Sequence, residues 1–373
     1  MSEAKGLEIY MQKNYEIQRI RAIALICILI GHMPFNTSKY VIHGYTFVTL
    51  FLIITGYFST ISLINKYDNS ISRLKVIKSE LINRVLRLFP LMWIWILIYF
   101  FIGWIFIFQG GQYGDWGRWK NELIHAFNLT YNYYLAKLDI GGLFGQYWTL
   151  FVEIHFAIIF IILYGIIRNS KTRKIIAVSF VLLTVFIFRP LTPTREVRYV
   201  THAHFDALFC GVLIALYDKK KIINFDISER IKPIISIILC IVMLLSGYFF
   251  DTYYNNMNIK YVFYSLLGCV IFLMAKDNDG WFNFGKIINK FLDFVGDTSA
   301  STYVSHIIIY SCVYYNLYYN TNLIPVVIQS TFWGIILQIL FLELFAFGVG
   351  WISMQIIEKP FGLLAKKTHN KSK

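Results

Sequence analysis

The chain has 373 residues, of which 57% are hydrophobic and 15% are charged, and its formal net charge at pH 7 is +14. Soluble domains carry about 25% charged residues, so this composition excludes a soluble globular protein and predicts an all-α, polytopic membrane protein. Lys and Arg fall in short clusters between apolar runs, which is typical of membrane topology and not of a nucleic-acid-binding surface. The five cysteines show no CxxC spacing, so we expect neither a disulfide framework nor a metal site.

Apolar runs near the length of a membrane span predict a bundle of ten transmembrane helices that forms a single domain over residues 1–373. The runs cover residues 18–36, 41–64, 88–108, 148–167, 175–189, 204–217, 233–250, 259–275, 293–319 and 328–357. If the N-terminus is cytoplasmic, the cytoplasmic segments hold 27 of the 35 Lys and Arg residues. Because positive charge is enriched on the cytoplasmic side, we expect both termini there.

The first predicted span carries Arg21 and His32, which are eleven residues apart with no charged residue between them. At about 100° and 1.5 Å per residue, the two side chains lie on one helix face about 16 Å apart. An ionisable side chain inside a bilayer is costly and faces the bundle interior or water. We therefore interpret His32 as a functional residue in the outer half of the membrane. The alternative is a packed histidine that donates to a backbone carbonyl, with Arg21 as a boundary anchor.

Further charged candidates lie in the loop just before the third span and within the fourth span. Arg84 and Arg87 share a helix face at the predicted cytoplasmic boundary, where paired guanidinium groups suit phosphate, although simple positive flanking of a span explains them equally well. Glu153 lies about 7 Å below the outer boundary. This depth predicts a contact with His32 that fixes the tautomer of the imidazole and stabilises its charged form. His155 is an alternative partner, but on a helix it points away from Glu153.

Later spans also contain polar residues. Asp206 lies near the start of the sixth span and His306 lies in the ninth, and each is suited either to pairing helices through hydrogen bonds or to a direct role. Arg189, Arg195 and Arg198 lie near the outer face. These arginines are suited either to holding an anionic acceptor or to anchoring lipid headgroups.

The order and spacing of these residues resemble the acyltransferase family 3 of integral membrane O-acyltransferases, which acetylate surface polysaccharides and related glycans. The resemblance covers nearly the whole chain. The matching motifs are Arg21 with His32, Phe51 to Tyr57, Arg84 with Arg87 and Pro90, Trp148 to Glu153, Phe205 to Gly211, Ser299 to His306, and Glu358 to Pro360. The chain departs from the family pattern at Ala300, where Tyr is usual, and at His204, where Arg is frequent.

The resemblance implies a multi-pass enzyme of the bacterial cytoplasmic membrane that moves an acetyl group from cytoplasmic acetyl-CoA to a hydroxyl of a cell-surface glycan or lipid-linked sugar. Acetyl-CoA is then a substrate, and no tightly bound cofactor is expected. The implied catalytic residues are His32, as general base, and Glu153. The implied donor-binding residues are Arg21, Arg84 and Arg87, and those expected near the acceptor are Trp148, Arg189, Asp206 and His306.

Two other functions stay open at this point. A glycan exporter would also use a bundle of about ten helices with buried polar residues, and a nonenzymatic membrane scaffold would have the same composition. The motif order favours the acyltransferase. The sequence leaves the acceptor sugar and the oligomeric state open.

Overall fold

The computed structural model describes residues 13–33, 43–67, 72–108, 116–138, 142, 144–217, 227–254, 256–310 and 331–370. These residues form helices and no strand, which confirms the predicted all-α class. The helices are α1 (Tyr15–Gly31), α2 (Val48–Tyr67), α3 (Arg73–Phe108), α4 (Trp116–Phe127), α5 (Tyr131–Lys137), α6 (Trp148–Ile166), α7 (Ser170–Leu183), α8 (Arg189–Leu191), α9 (Phe205–Tyr217), α10 (Lys232–Thr252), α11 (Met257–Lys276), α12 (Lys286–Ile308), α13 (Phe332–Ser353) and α14 (Lys359–Asn370).

Short helical turns adjoin several of these helices. The 3₁₀ turns Gly44–Phe47, Gly145–Tyr147 and Thr201–His204 precede α2, α6 and α9. Two π-helical segments, Thr184–Phe188 and Met354–Glu358, join α7 to α8 and α13 to α14 without interrupting the helical path. Such π segments are rare within helices and are frequent near functional sites.

Seven helical segments in the described ranges are long and apolar enough to cross a membrane. They are Gly44–Ile64, Arg73–Ile102, Gly145–Ile166, Ser170–Leu191, Lys232–Thr252, Met257–Lys276 and Phe332–Ala365. Each of these segments overlaps one of seven predicted spans, with different bounds. The first, sixth and ninth predicted spans correspond to α1, α9 and α12, which are helical but too short or too polar to be counted by the same criteria. The total of ten spans and the cytoplasmic position of both termini stay predictions.

The three helices that miss these criteria pack against other helices. The most extensive contact is between α2 and α9, followed by that between α1 and α12. The buried residues of α12 include Ser301, Thr302 and His306, whose exposed fractions are 0%. Polar groups that face lipid have no hydrogen-bonding partner. These helices can carry polar residues because neighbouring helices cover them and supply partners.

The helix that carries Arg84 and Arg87 begins earlier than expected. The third span was predicted from residue 88, which placed both arginines at the end of a loop; instead, α3 is continuous from Arg73 and contains Pro90 in its interior. The predicted start was wrong because only the apolar part of this helix was recognised from the sequence. The polar first turns of α3 belong to the same helix. Arg84 and Arg87 therefore project from a helix within the bundle.

The contact between α2 and α9 depends on two glycines. A Cβ atom on Gly56 would meet the carbonyl oxygen of Leu208, and one on Gly211 would meet the carbonyl oxygen of Ile53. The obstructing atoms belong to the backbone of the facing helix, so they cannot move aside as a flexible side chain would. Small residues at such positions let membrane helices approach closely.

We expect Gly211→Ala to destabilise the detergent-solubilised protein by about 1–3 kcal/mol, because the added methyl group forces the two helices apart. Gly348→Ala is the matched control: it also lies in a helix, but a Cβ there meets nothing within 4 Å, so the better helix propensity of Ala raises stability by up to about 1 kcal/mol. Thermal unfolding measures both effects. Equal thermal midpoints for Gly211→Ala and the wild type would contradict the packing described.

Glu16 is buried at the end of the bundle where α1 begins. It lies in the first turn of α1, before the predicted span starts at residue 18, and is 2% exposed. Its carboxylate accepts a hydrogen bond from the backbone N–H of Gly280 (2.5 Å). Burial raises the pKa of Glu16 from 4.5 to about 7, so the folded state favours the protonated carboxyl.

We therefore expect stability to fall as the pH rises. A carboxyl with a raised pKa in the folded state contributes most below pH 4.5, and its contribution is lost as the pH passes through about 7. Glu16→Gln should remove this part of the pH dependence, because the amide stays neutral and still offers an oxygen to Gly280. Thermal midpoints between pH 5 and pH 8 test the point; parallel curves for both proteins would show that Glu16 does not titrate in this range.

Candidate active site

His32 caps the C-terminal end of α1, and a backbone carbonyl orients its ring. Nδ1 lies 2.9 Å from the carbonyl oxygen of Ile28. Because a carbonyl only accepts hydrogen bonds, Nδ1 carries the proton and Nε2 of the neutral ring keeps its lone pair. The side chain is enclosed by the bundle yet accessible to solvent. Nε2 of His32 is therefore the ring nitrogen with a lone pair, on a residue that is exposed.

His306 of α12 lies behind this ring. The centroids of the two imidazoles are 5.2 Å apart, and Nδ1 of His306 donates to the carbonyl of Tyr303 (2.7 Å). His306 is 0% exposed, and its Nε2 has no hydrogen-bonding partner among the described residues. The structure thus brings His306 to His32, as expected of one site, but on the protected side of the ring.

At the other end of α1, Arg21 belongs to a polar cluster contributed by several helices. Its guanidinium donates to Ser299 Oγ (2.7 Å) and to Gln18 Oε1 (3.2 Å). Glu358 lies within electrostatic reach of Arg21 and accepts a hydrogen bond from Ser301 Oγ (2.7 Å). A carboxylate and two hydroxyl groups therefore hold this end of the site.

Arg84 and Arg87 join the same cluster from α3. The guanidinium of Arg84 donates to the hydroxyl of Ser59 on α2, and Arg87 lies within electrostatic reach of both Arg84 and Arg21. Arg21 and Arg84 are enclosed by protein but keep part of their surface accessible, whereas Arg87 is exposed. The structure therefore brings the three predicted arginines together, with Arg87 at the open side.

Glu153 lies in this arginine cluster and not at His32. It accepts a hydrogen bond from the Thr55 hydroxyl, and both Arg84 and Arg21 are within its electrostatic reach. The expected contact between Glu153 and His32 is absent from the described residues. Nδ1 of His32 donates instead to the Ile28 carbonyl in the last turn of α1, which also accepts the backbone N–H of His32.

Arg189 and Asp206, predicted near an acceptor, form a buried ion pair. Their closest atoms are 2.6 Å apart, and their side chains are 1% and 3% exposed. Arg189 also donates to the carbonyl of Ala203 (2.8 Å), and Asp206 accepts from Ser265 Oγ (2.8 Å). Because buried charges need such partners, these two residues fix the chain between α8 and α9. They do not face an accessible space.

Trp148 lies beneath that connection. Its exposed fraction is 9%, and its ring centroid is 5.1 Å from that of His204 and 6.0 Å from that of Tyr199. It supports the segment that carries Arg198, an exposed residue whose guanidinium hydrogen-bonds Tyr199 and lies within electrostatic reach of His32.

The sequence interpretation missed a group of residues next to Arg198. They are His43, Tyr45, Asp251 and Lys260. Lys260 gave a usable signal, since it is the second residue of the predicted span 259–275 and a cation within an apolar span is costly unless it has a partner or a function. The other three lie at the ends of predicted spans, where polar and aromatic residues are common, and they gave no distinctive signal.

Comparisons with known proteins agree with this arrangement of motifs. A family model described as an acyltransferase domain matches residues 14–354. Proteins of Staphylococcus aureus strains COL, MSSA476 and MRSA252, which carry the name "Putative O-acetyltransferase", are 27% identical to the chain over 383 aligned positions. The alignments cover 97% of this chain and 59% of each relative, so the chain spans less than two thirds of the length of these relatives. No solved structure matches the chain. The match over nearly its whole length shows that the chain belongs to the acyltransferase 3 family.

Proposed function

We propose that this protein transfers an acetyl group from cytoplasmic acetyl-CoA to a hydroxyl group of a cell-surface glycan or lipid-linked sugar, and that it does so in the bacterial cytoplasmic membrane. Membership of the family and the names of the relatives support an O-acetyltransferase with several membrane helices. The donor, the acceptor class and the residue roles below are parts of the proposal.

The observation that carries the proposal is the ring of His32, an exposed residue whose Nδ1 is held by a backbone carbonyl. The hydrogen bond between Nδ1 and the Ile28 carbonyl leaves this nitrogen unprotonated and oriented. A general base must reach the proton that it removes and must be held in the correct tautomer. The hydrogen bond to Ile28 meets the second requirement, and the exposure of His32 supports the first.

His32 would act in both halves of the transfer. Nε2 removes the proton from the acceptor hydroxyl while that oxygen attacks the carbonyl carbon of the thioester. The new C–O bond forms, the C–S bond breaks, and the proton on Nε2 passes to the departing sulfur, which leaves as the thiol of CoA. The ring returns to its neutral state, so no further proton donor is required.

The arginine cluster would bind the donor. Guanidinium groups form paired hydrogen bonds with phosphate oxygens, and exposed Arg87 is the one most open to an incoming nucleotide. Glu153 and Glu358 hold the enclosed guanidinium groups of Arg84 and Arg21 in place. The rise of about 16 Å along α1 between Arg21 and His32 is comparable with the length of an extended pantetheine arm, so the thioester would reach the base.

We expect His32→Ala to lower turnover by about 10²–10⁴-fold, the usual contribution of a positioned general base. The assay is release of CoA thiol from acetyl-CoA by the purified protein, measured with and without envelope glycan, together with transfer of labelled acetyl to the glycan. His125→Gln is the matched control, since this histidine hydrogen-bonds the adjacent Thr130 and lies outside the site. Wild-type turnover in His32→Ala would overturn the role of His32, and glycan-dependent transport without thiol release would favour an exporter.

We expect Arg87→Ala to weaken CoA binding by about tenfold or more, because a hydrogen bond between charged groups contributes about 1.5–3 kcal/mol. The affinity of the Arg87→Ala protein for pantetheine should equal that of the wild type, because pantetheine lacks the nucleotide phosphates. Lys75→Ala is the matched control, as it removes an exposed positive charge from the same helix. If CoA and pantetheine lose affinity equally in Arg87→Ala, the residue does not bind a phosphate.

A further inference from the structure

Cationic side chains gather on the ring of Tyr45, at the end of the bundle where His32 lies. The guanidinium carbon of Arg198 is 4.9 Å from the ring centroid, and Nζ of Lys260 is 4.8 Å from it. The Tyr45 hydroxyl donates to Asp251 (2.5 Å). We name His43, Tyr45, Arg198, Asp251 and Lys260 the outer basin.

The outer basin carries more positive than negative charge. Asp251 forms an ion pair with Lys260, lies 3.0 Å from Nδ1 of His43 and accepts the Tyr45 hydrogen bond, so three groups share one carboxylate. Arg198 is an exposed residue whose guanidinium lies among tyrosine side chains and hydrogen-bonds Tyr199, and it has no carboxylate partner among the described residues. The free positive charge of the basin is therefore concentrated at Arg198.

Buried contacts fix the backbone that carries Arg198. Nε2–H of His204 donates to the carbonyl of Arg198 (2.9 Å), and His204 is 2% exposed between the rings of Trp148 and Tyr261. The ion pair of Arg189 with Asp206 holds the neighbouring turn at Ala203. An arginine whose backbone is held in this way loses less conformational freedom when a ligand binds.

Arg198 also lies within electrostatic reach of His32. A guanidinium at that place repels the imidazolium that forms when His32 takes a proton. An anion bound to Arg198 would offset this repulsion at the moment of transfer. Proton uptake by His32 is therefore easier when an anionic acceptor occupies Arg198 than when a neutral acceptor is bound.

We propose that the outer basin binds an anionic group of the acceptor, a sugar carboxylate or a sugar phosphate, with Arg198 as its principal contact. The proposal rests on the proposed function, because it makes the site at His32 selective for acidic acceptors. A guanidinium binds a carboxylate and a phosphate in the same way, through two parallel hydrogen bonds. The experiment below decides which of the two groups the acceptor carries.

The test compares three soluble sugars that differ in one group. Methyl glucuronide carries a carboxylate, glucose 1-phosphate carries a phosphate, and methyl glucoside is neutral. Their dissociation constants for the full-length protein in lipid nanodiscs are measured by ligand-observed NMR. We expect at least one anionic sugar to bind about tenfold more tightly than methyl glucoside; the tighter of the two identifies the source. Equal affinity for all three would overturn the proposal.

Two variants distinguish a specific contact with Arg198 from a general effect of positive surface charge. Arg198→Gln should abolish the preference for the anion and leave the affinity for methyl glucoside unchanged. Arg195→Gln, with the same charge change three residues away, should keep the preference. If Arg198→Gln retains the preference, or if Arg195→Gln loses it equally, Arg198 is not the contact.

A conservative variant guards against a folding defect. Gel-filtration elution and the thermal midpoint report whether Arg198→Gln is folded. If it is not, Arg198→Lys keeps the charge but loses the paired geometry, and it should bind the anionic sugar several-fold more weakly without a change for methyl glucoside. Unchanged affinity for both sugars in a folded Arg198→Lys would overturn the proposal.

The outcome is separable from that of the proposed function. Thiol release from acetyl-CoA is measured on the same preparations. If the protein prefers anionic sugars but releases no CoA thiol, the proposed anion site is supported and the proposed acetyl transfer is wrong. If the protein releases thiol and acetylates charged and neutral sugars equally well, the proposed transfer is supported and the proposed preference for acidic acceptors is wrong.

Discussion

A charged group inside a membrane must be enclosed by protein and given partners, because hydrocarbon offers none. In this chain the requirement determines which helices are central. Helix α1 carries Arg21 at one end and His32 at the other, and its neighbour α12 supplies Ser299 to the arginine and His306 to the imidazole. The outer, more apolar helices surround them. The result is one helix that connects a cationic cluster to the imidazole of His32.

The apolar pattern predicted most of the fold. Long apolar runs identified the seven helices that meet the length and hydropathy criteria, because lipid contact requires continuous hydrophobic surface. The apolar run placed Arg21 on α1, whereas the helix ends at Gly31 and His32 is its C-cap. The spacing of Arg84 and Arg87 predicted a shared helix face. The start of α3 was missed because its first turns are polar and resemble a loop.

Partner choice within the site was not predictable from one chain. The depth of Glu153 suggested a contact with His32, but depth along a helix does not specify which neighbour a side chain faces; Glu153 meets Thr55 and two arginines instead. The tautomer of His32 depends on a carbonyl one turn away. The outer basin joins segments that are far apart in sequence, such as Tyr45 and Lys260, so tertiary packing alone brings them together.

The central claim is that an acetyl group passes from a thioester on the cytoplasmic side to a hydroxyl on the opposite side through the site at His32. The most direct measurement uses sealed right-side-out membrane vesicles that contain the protein, with labelled acetyl-CoA trapped inside and envelope glycan outside. The account predicts labelled acetyl on the external glycan, with CoA thiol retained in the lumen and no transfer in His32→Ala vesicles. Acetylation of the external glycan only when acetyl-CoA is also supplied outside would contradict it.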